Sequence, residues 1–307
     1  MPDGPQEAII LESKSLLVVI DPQAGGKIRS LFSTRTGTEY LYQDARANFG
    51  EGPGYVTHDI SGFDECFPTV GPSHYPDGKR KGLFLGDHGL LRQTPWTAEV
   101  KDGRVVMARE IPELQIHFER TCVLDGEQSL ELAYRITNAA DEPLKYVYSA
   151  HPILAAGPDT RVMLPDEMDR AYVIFVANVD GVEPQNWIDW PPGVPNLQPP
   201  YTATRKSCLK VVSPQLANGV AFVQHQDRGE GLQLEFDAAE LPHLGVLIQQ
   251  GYDADDNGAF QGEVLLALEP TTGIGDDLPT CASTQTLAEL GPGQSKSFSI
   301  RLTLVGL

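Results

Sequence analysis

From Thr94 to Leu154 the chain runs through five strand-length segments in succession. They are TPWTAEVKDG, RVVMAREIP, LQIHFERTCVLDG, SLELAYRITNAAD and PLKYVYSAHPIL. Asp102–Gly103, Asp125–Gly126 and Ala140–Asp141 separate them. Asp-Gly between alternating runs is hairpin chemistry, because a two-residue turn of the favoured type needs a positive φ at both positions. In LQIHFER the apolar Leu114, Ile116 and Phe118 share one face and Gln115, His117 and Glu119 the other. His117 is therefore read as a sheet-surface residue. Earlier runs at Ala8–Leu11 and Ser15–Ile20, and a hairpin around Lys27–Leu31, have the same character. So do Leu209–Val212, Val220–His225, Leu232–Phe236, HLGVLIQQGY, EVLLALEP and the closing SFSIRLTLVGL. No segment has the period of an amphipathic helix, and no repeat of fixed length occurs. The expectation is an all-β chain, residues 1–307 forming one large sandwich whose loops carry the chemistry.

Two stretches break the pattern. Asp166–Pro200 is irregular apart from a short apolar run at Ala171–Ala177; its Trp187 and Trp190 point to a packed excursion rather than a linker. Ser61–Trp96 (SGFDECFPTVGPSHYPDGKRKGLFLGDHGLLRQTPW) combines adjacent acids, two histidines, two arginines and many Gly and Pro. It suits neither a helix nor a plain strand, and it predicts a long functional loop. Within it, Lys79–Arg80–Lys81 reads as a solvated turn.

Composition narrows the partners. The chain has 307 residues, 41% of them hydrophobic, enough for a sizeable core, and a net charge of −19 with a pI near 4.6. Such an acidic surface disfavours nucleic acid and anionic membrane. Cys66, Cys122, Cys208 and Cys281 show no CxxC spacing and are expected to be reduced thiols, Cys66 being a buried one. The first residues, MPDGPQEAII, lack the basic start and apolar run of a signal peptide, and no apolar stretch is long enough to span a bilayer. The expected location is the cytoplasm.

Three residues carry candidate acid–base chemistry. Glu269, in LLALEPTTG, ends an apolar strand, where partial burial would raise its pKa and make it a base. His151, in YSAHPIL, and His88, in GDHGLLR, also interrupt strand ends. Each alone is more often structural. Together they could supply a base, a proton donor and a hydroxyl-binding group. There is no HxxxH or HExxH spacing, so a catalytic metal is not expected. Asp253, Asp255, Asn257 and Gly258 match half of an EF-hand loop, but the twelfth position is Val264 and the flanks are strands. That segment reads as an acidic hairpin turn.

Taken in order, GGKIRSLFSTRTGTEYL, GFDECFPTVGP, DHGLLRQTPW, YRITN with YSAHPIL, and LALEPTTG resemble the aldose 1-epimerase (galactose mutarotase-like) family from about Leu16 to Leu278. The resemblance implies a β-supersandwich with one sugar cleft. It implies that Glu269 is the general base, His151 the general acid and His88 a hydroxyl-binding residue. Arg92 matches an arginine that holds phosphate in the hexose-6-phosphate branch. That branch also places an arginine before the first Gly-rich motif, where Ser61–Gly62 stand here, followed by Asp64 and Glu65. Two carboxylates would repel a phosphate, so the expected ligand is a neutral hexose, with Asp64 or Glu65 binding hydroxyls. The sugar-binding aspartate of typical galactose mutarotases is not placed by these motifs, and Asp253 is the one candidate. The expected function is a cofactor-independent aldose 1-epimerase. The alternatives are a non-catalytic sugar-binding protein on the same scaffold and a hexose-6-phosphate 1-epimerase.

Overall fold

The structure is a computed structural model and describes residues 7–45, 59–92, 94–191, 199–254 and 260–306. In chain order the strands are β1 (Ile9–Glu12), β2 (Leu16–Asp21), β3 (Lys27–Ser33), β4 (Thr38–Glu39), β5 (Phe63–Cys66), β6 (Ser73–His74) and β7 (Phe84–Leu85). Next come β8 (Thr97–Lys101), β9 (Arg104–Ile111), β10 (Ile116–Asp125), β11 (Ser129–Asn138), β12 (Leu144–Tyr146), β13 (Ser149–Ala155), β14 (Thr160–Met163), β15 (Arg170–Ala177) and β16 (Trp187–Asp189). The last are β17 (Ser207–Val212), β18 (Val220–His225), β19 (Glu230–Phe236), β20 (His243–Gln250), β21 (Val264–Thr271), β22 (Ala288–Leu290) and β23 (Ser295–Gly306).

Two large antiparallel sheets result. One has 11 strands in the order β1-β2-β3-β5-β13-β21-β20-β17-β15-β16, with β4 added beside β3. The other has eight, β14-β18-β19-β23-β11-β10-β9-β8. The β8–β9 and β10–β11 hairpins form as expected, with Asp102, Gly103 and Gly126 at positive φ in their turns. Leu114, Ile116 and Phe118 are fully buried, while His117 lies at the sheet surface against Glu110.

The main core lies between the sheets and joins Val18, Ile20, Leu209, Val211, Leu266 and Leu268 to Phe118, Leu132, Ile300 and Leu302. A second, smaller cluster of Ile60, Ile153, Cys208, Leu247, Leu265 and Ala267 covers the opposite face of the 11-stranded sheet. Strands β13, β17, β20 and β21 are thus buried on both faces, which is why they read as continuous apolar runs rather than alternating ones. A charged residue in these strands is enclosed wherever it points.

Several expectations change. The stretch Ser61–Trp96 is not all loop: β5 lies within the 11-stranded sheet between β3 and β13. Arg80 is not in a solvated turn. It is 8% exposed, donates to the carbonyl of Leu114 (2.6 Å), and lies over the ring of Tyr75. Asp166–Pro200 contains β15 and the short β16, paired as a hairpin, with Trp190 packed on the core and Trp187 41% exposed. One short helix, α1 (Leu278–Ser283), was not foreseen; Asp277 caps it through the Thr280 N–H (2.7 Å). Asp255, Asn257 and Gly258 lie outside the described residues. Asp253 pairs with Gln261 and Ala254 donates to Phe260, as a hairpin requires. No helix among the described residues is long and apolar enough to cross a membrane.

Candidate active site

The register of three strands sets the site. Asp64 on β5 pairs with His151 on β13. On β13 and β21, Ser149 faces Thr271 and Ile153 faces Ala267, a register that puts His151 across from Glu269. Glu269 in turn pairs with Gly245 on β20. Asp64, His151, Glu269 and Gly245 therefore form one row across the sheet, on the face turned away from the main core. Gly245 leaves room for the row: a Cβ there would lie 3.1 Å from the Glu269 Cβ.

Above this row is a cavity of about 430 Å³. Small-molecule sites run roughly 300–1,000 Å³. Its polar wall includes His88, His151, Arg92, Lys210 and Asp276, and Phe175, Phe260 and Leu247 supply apolar wall. His88 and His151 lie ring to ring, with centroids 4.9 Å apart. His151 Nε2 is 3.8 Å from Glu269 Oε1. Glu269 is 2% exposed and sits beneath His151 and Lys210. The His151 Nδ1 and the Glu269 Oε1 are both buried and have no hydrogen-bond partner.

His88 reaches the cavity on a loop pinned to the end of β5. The Leu90 N–H donates to the Phe67 carbonyl (2.7 Å) and the His88 N–H to the Val70 carbonyl (2.5 Å). Gly89 is required here: its φ is +75°, and a Cβ would fall 2.1 Å from the Phe67 oxygen. His88 itself has φ 61°, uncommon for a side-chain-bearing residue, and its Nδ1 meets Asp87 (2.7 Å).

Lysines that the sequence reading passed over organise the charge. Lys27, fully buried, donates to Asp59 (2.6 Å) and to the Ser61 carbonyl (2.8 Å) and lies 3.1 Å from Asp64. Arg92 lies 3.0 Å from Asp64 and donates to the Asp59 carbonyl (2.8 Å). Lys210 is 3.0 Å from Glu269 Oε2 and 3.0 Å from Asp276 Oδ2. Asp276 is held by its own backbone, whose carbonyl accepts from the N–H groups of Val70 (2.9 Å) and Gly71 (2.6 Å). The available signal was a lysine inside an apolar strand, since lysine is rarely buried without a partner.

The expectation for Glu65 is corrected. Neighbouring residues on a strand face opposite sides, so Asp64 turns to the site and Glu65 into the core between the sheets. Glu65 is fully buried and accepts from Arg120 (2.7 Å), Tyr134 (2.9 Å) and Tyr148 (2.6 Å). It is a structural carboxylate and cannot reach a ligand in the cavity. Asp64, 1% exposed, lies behind Arg92 and Lys27 rather than on the cavity wall. Asp276, not anticipated, is the carboxylate on the wall beside Lys210.

Burial lowers the pKa of His151 well below the ordinary 6.5, and repulsion from His88, Arg92, Lys210 and Lys27 adds to it. His88 moves the same way for the same reasons, burial first. Burial raises the Glu269 carboxyl above the ordinary 4.5, with Lys210 opposing and Asp276 reinforcing. Cys66 is buried as expected, yet it is not isolated: its sulfur and one donor atom each of His88 and His151 lie within 4.8 Å of one another. Those donor types suit a thiophilic cation. Around the position lie the cations Arg92 and Lys210 and the carboxylates Glu269 and Asp64.

No family model matches the chain, and no curated protein matches it in sequence. Solved structures do match. A candidate aldose 1-epimerase from Escherichia coli K12 superposes with a TM-score of 0.72 at 16% identity, covering 98% of this chain and 99% of that one. The Slr1438 protein of Synechocystis sp. PCC 6803 gives 0.69 at 20% identity, covering 100% and 98%. A galactose mutarotase-like protein from Lactobacillus casei ATCC 334 gives 0.69 at 16% identity, covering 97% and 100%. At these identities the likeness establishes architecture and leaves the reaction to be argued from the site. The two stacked sheets described above are the galactose mutarotase-like β-sandwich fold.

Proposed function

We propose that the protein is a cofactor-independent aldose 1-epimerase acting on a neutral hexose. The observation that carries this reading is the pairing of His151, on the cavity wall, with Glu269, buried 3.8 Å from it, and of His88 against His151. The anomeric hydroxyl and the ring oxygen of a pyranose hang on one carbon, so a base and an acid side by side can serve both at once. Glu269 takes the proton of the anomeric hydroxyl as the C1–O bond to the ring oxygen breaks. The electron pair released onto the ring oxygen takes a proton from His151, leaving an open-chain aldehyde. Rotation about C1–C2 presents the other carbonyl face. Ring closure returns both protons and yields the other anomer. His88, on the cavity wall, is the hydroxyl-binding residue.

The charge pattern supports a neutral ligand. Arg92, the counterpart of a phosphate-holding arginine, is paired with Asp64, and Lys27 is enclosed by Asp59 and Asp64. A phosphate would have to compete with those carboxylates.

The two shifted groups predict a pH dependence. The base form of Glu269 is lost as pH falls through a value above 4.5, and the acid form of His151 is lost as pH rises through a value below 6.5. The profile of kcat/KM is therefore a bell with its maximum on the acidic side of neutrality. A rate that stays flat into alkaline solution would remove His151 as the proton donor. The reading as a whole is tested by polarimetry of freshly dissolved neutral hexoses, pentoses and hexose 6-phosphates. Acceleration on a neutral hexose is expected. Acceleration confined to phosphates would overturn the neutral substrate, and none on any sugar would overturn the epimerase.

A further inference from the structure

Glu269 is held unsymmetrically. Its Oε2 is 3.0 Å from the Lys210 ammonium, while its Oε1 faces His151 Nε2 across 3.8 Å with no hydrogen bond. Lys210 is only 8% exposed and lines the cavity. Its other close partner is Asp276, at 3.0 Å, which reaches it from the segment before α1. Building on the epimerase reading, we propose that Lys210 is a positioning residue: its ammonium keeps the Glu269 carboxylate ionised and leaves Oε1 as the oxygen free to take the substrate proton.

The electrostatic surroundings leave this task to Lys210. Glu269 meets uncharged Gly245 on β20, His151 on β13 and Lys210 on β17; the Ser149 hydroxyl on β13 also hydrogen-bonds to it, and the charge of Asp276 lies on the far side of Lys210. Farther out, toward Cys66, lie Arg92, Asp64 and His88. Burial and the Asp276 charge both favour a protonated Glu269, and Lys210 is the cation in contact with it. Burial also works against the Lys210 ammonium, but Asp276 and Glu269 outweigh it, so Lys210 stays charged. With a carboxylate on each side, Lys210 is fixed in place and separates two like charges. Without an opposite charge in contact, burial favours the neutral carboxyl, which cannot act as a base.

The test reads Glu269 directly by its ¹³C carboxyl titration in the intact protein, beside the pH profile of anomer exchange. In Lys210→Met the Glu269 midpoint should rise by about 1–3 pH units, the usual effect of one opposite charge in contact. The acidic limb of kcat/KM should rise with it. Lys210→Arg keeps the charge and should return both toward the wild-type values. An unmoved midpoint in folded Lys210→Met would overturn the proposal. If Lys210→Met fails to fold, Lys210→Gln decides: loss of the charge should raise the midpoint in the same way, and an unchanged midpoint would overturn the proposal. A wild type that exchanges no sugar would defeat the epimerase reading, while the carboxyl titration would still decide the role of Lys210.

Discussion

Glu269→Gln lowers kcat for anomer exchange by about 10²–10⁴-fold, the usual worth of a positioned acid–base group, and leaves the fold intact. The amide matches the carboxylate in shape, so the space beside Gly245 stays filled. What disappears is the ability of Oε1 to accept a proton. Substrate binding should change little, because His88 and Arg92 stay on the cavity wall. The loss should therefore appear in kcat rather than in KM. Thermal melting beside the kinetics separates this from damage to the fold. Unchanged turnover would remove Glu269 from the mechanism.

The second large effect is on stability. Arg120→Met should destabilise the protein by about 3–5 kcal/mol, because it strands a buried carboxylate. Arg120 and Glu65 are both 0% exposed and lie between the sheets, with Arg120 also over the ring of Trp96 at 5.3 Å. Burial already raises the Glu65 carboxyl, with Arg120 the leading group that opposes it. Without Arg120 the carboxyl keeps only its two tyrosine donors. The double variant Arg120→Met with Glu65→Gln should recover much of the loss, since a neutral amide can still bond to Tyr134 and Tyr148. Urea unfolding of the three proteins checks this. A loss below about 1 kcal/mol, typical of an exposed ion pair, would contradict the buried-pair account.

The strands were readable from the sequence where alternation and Asp-Gly turns act locally, as in β8 to β11. In β13, β17, β20 and β21 the type of element was readable but the faces were not, since both are buried. The row of Asp64, His151, Glu269 and Gly245 is a matter of register between strands distant in sequence, which no local pattern encodes. His88, His151 and Glu269 could be picked out singly because each interrupts an apolar run or a Gly-rich turn. Lys210 was hidden in one such run, SCLKVV, and Asp276 in a turn before a six-residue helix too short for periodicity. Glu65 belongs with a ligand only if its segment is a loop. Once β5 is a strand, simple alternation sends it to the opposite side from Asp64.

The most direct test of the central claim is exchange NMR at equilibrium between the α and β anomers of a neutral hexose, with wild type and Glu269→Gln side by side. The account predicts rapid exchange with wild type that the variant loses. No exchange with wild type on any sugar, with binding still visible in the ligand's signals, would contradict it and leave a sugar-binding protein on this fold.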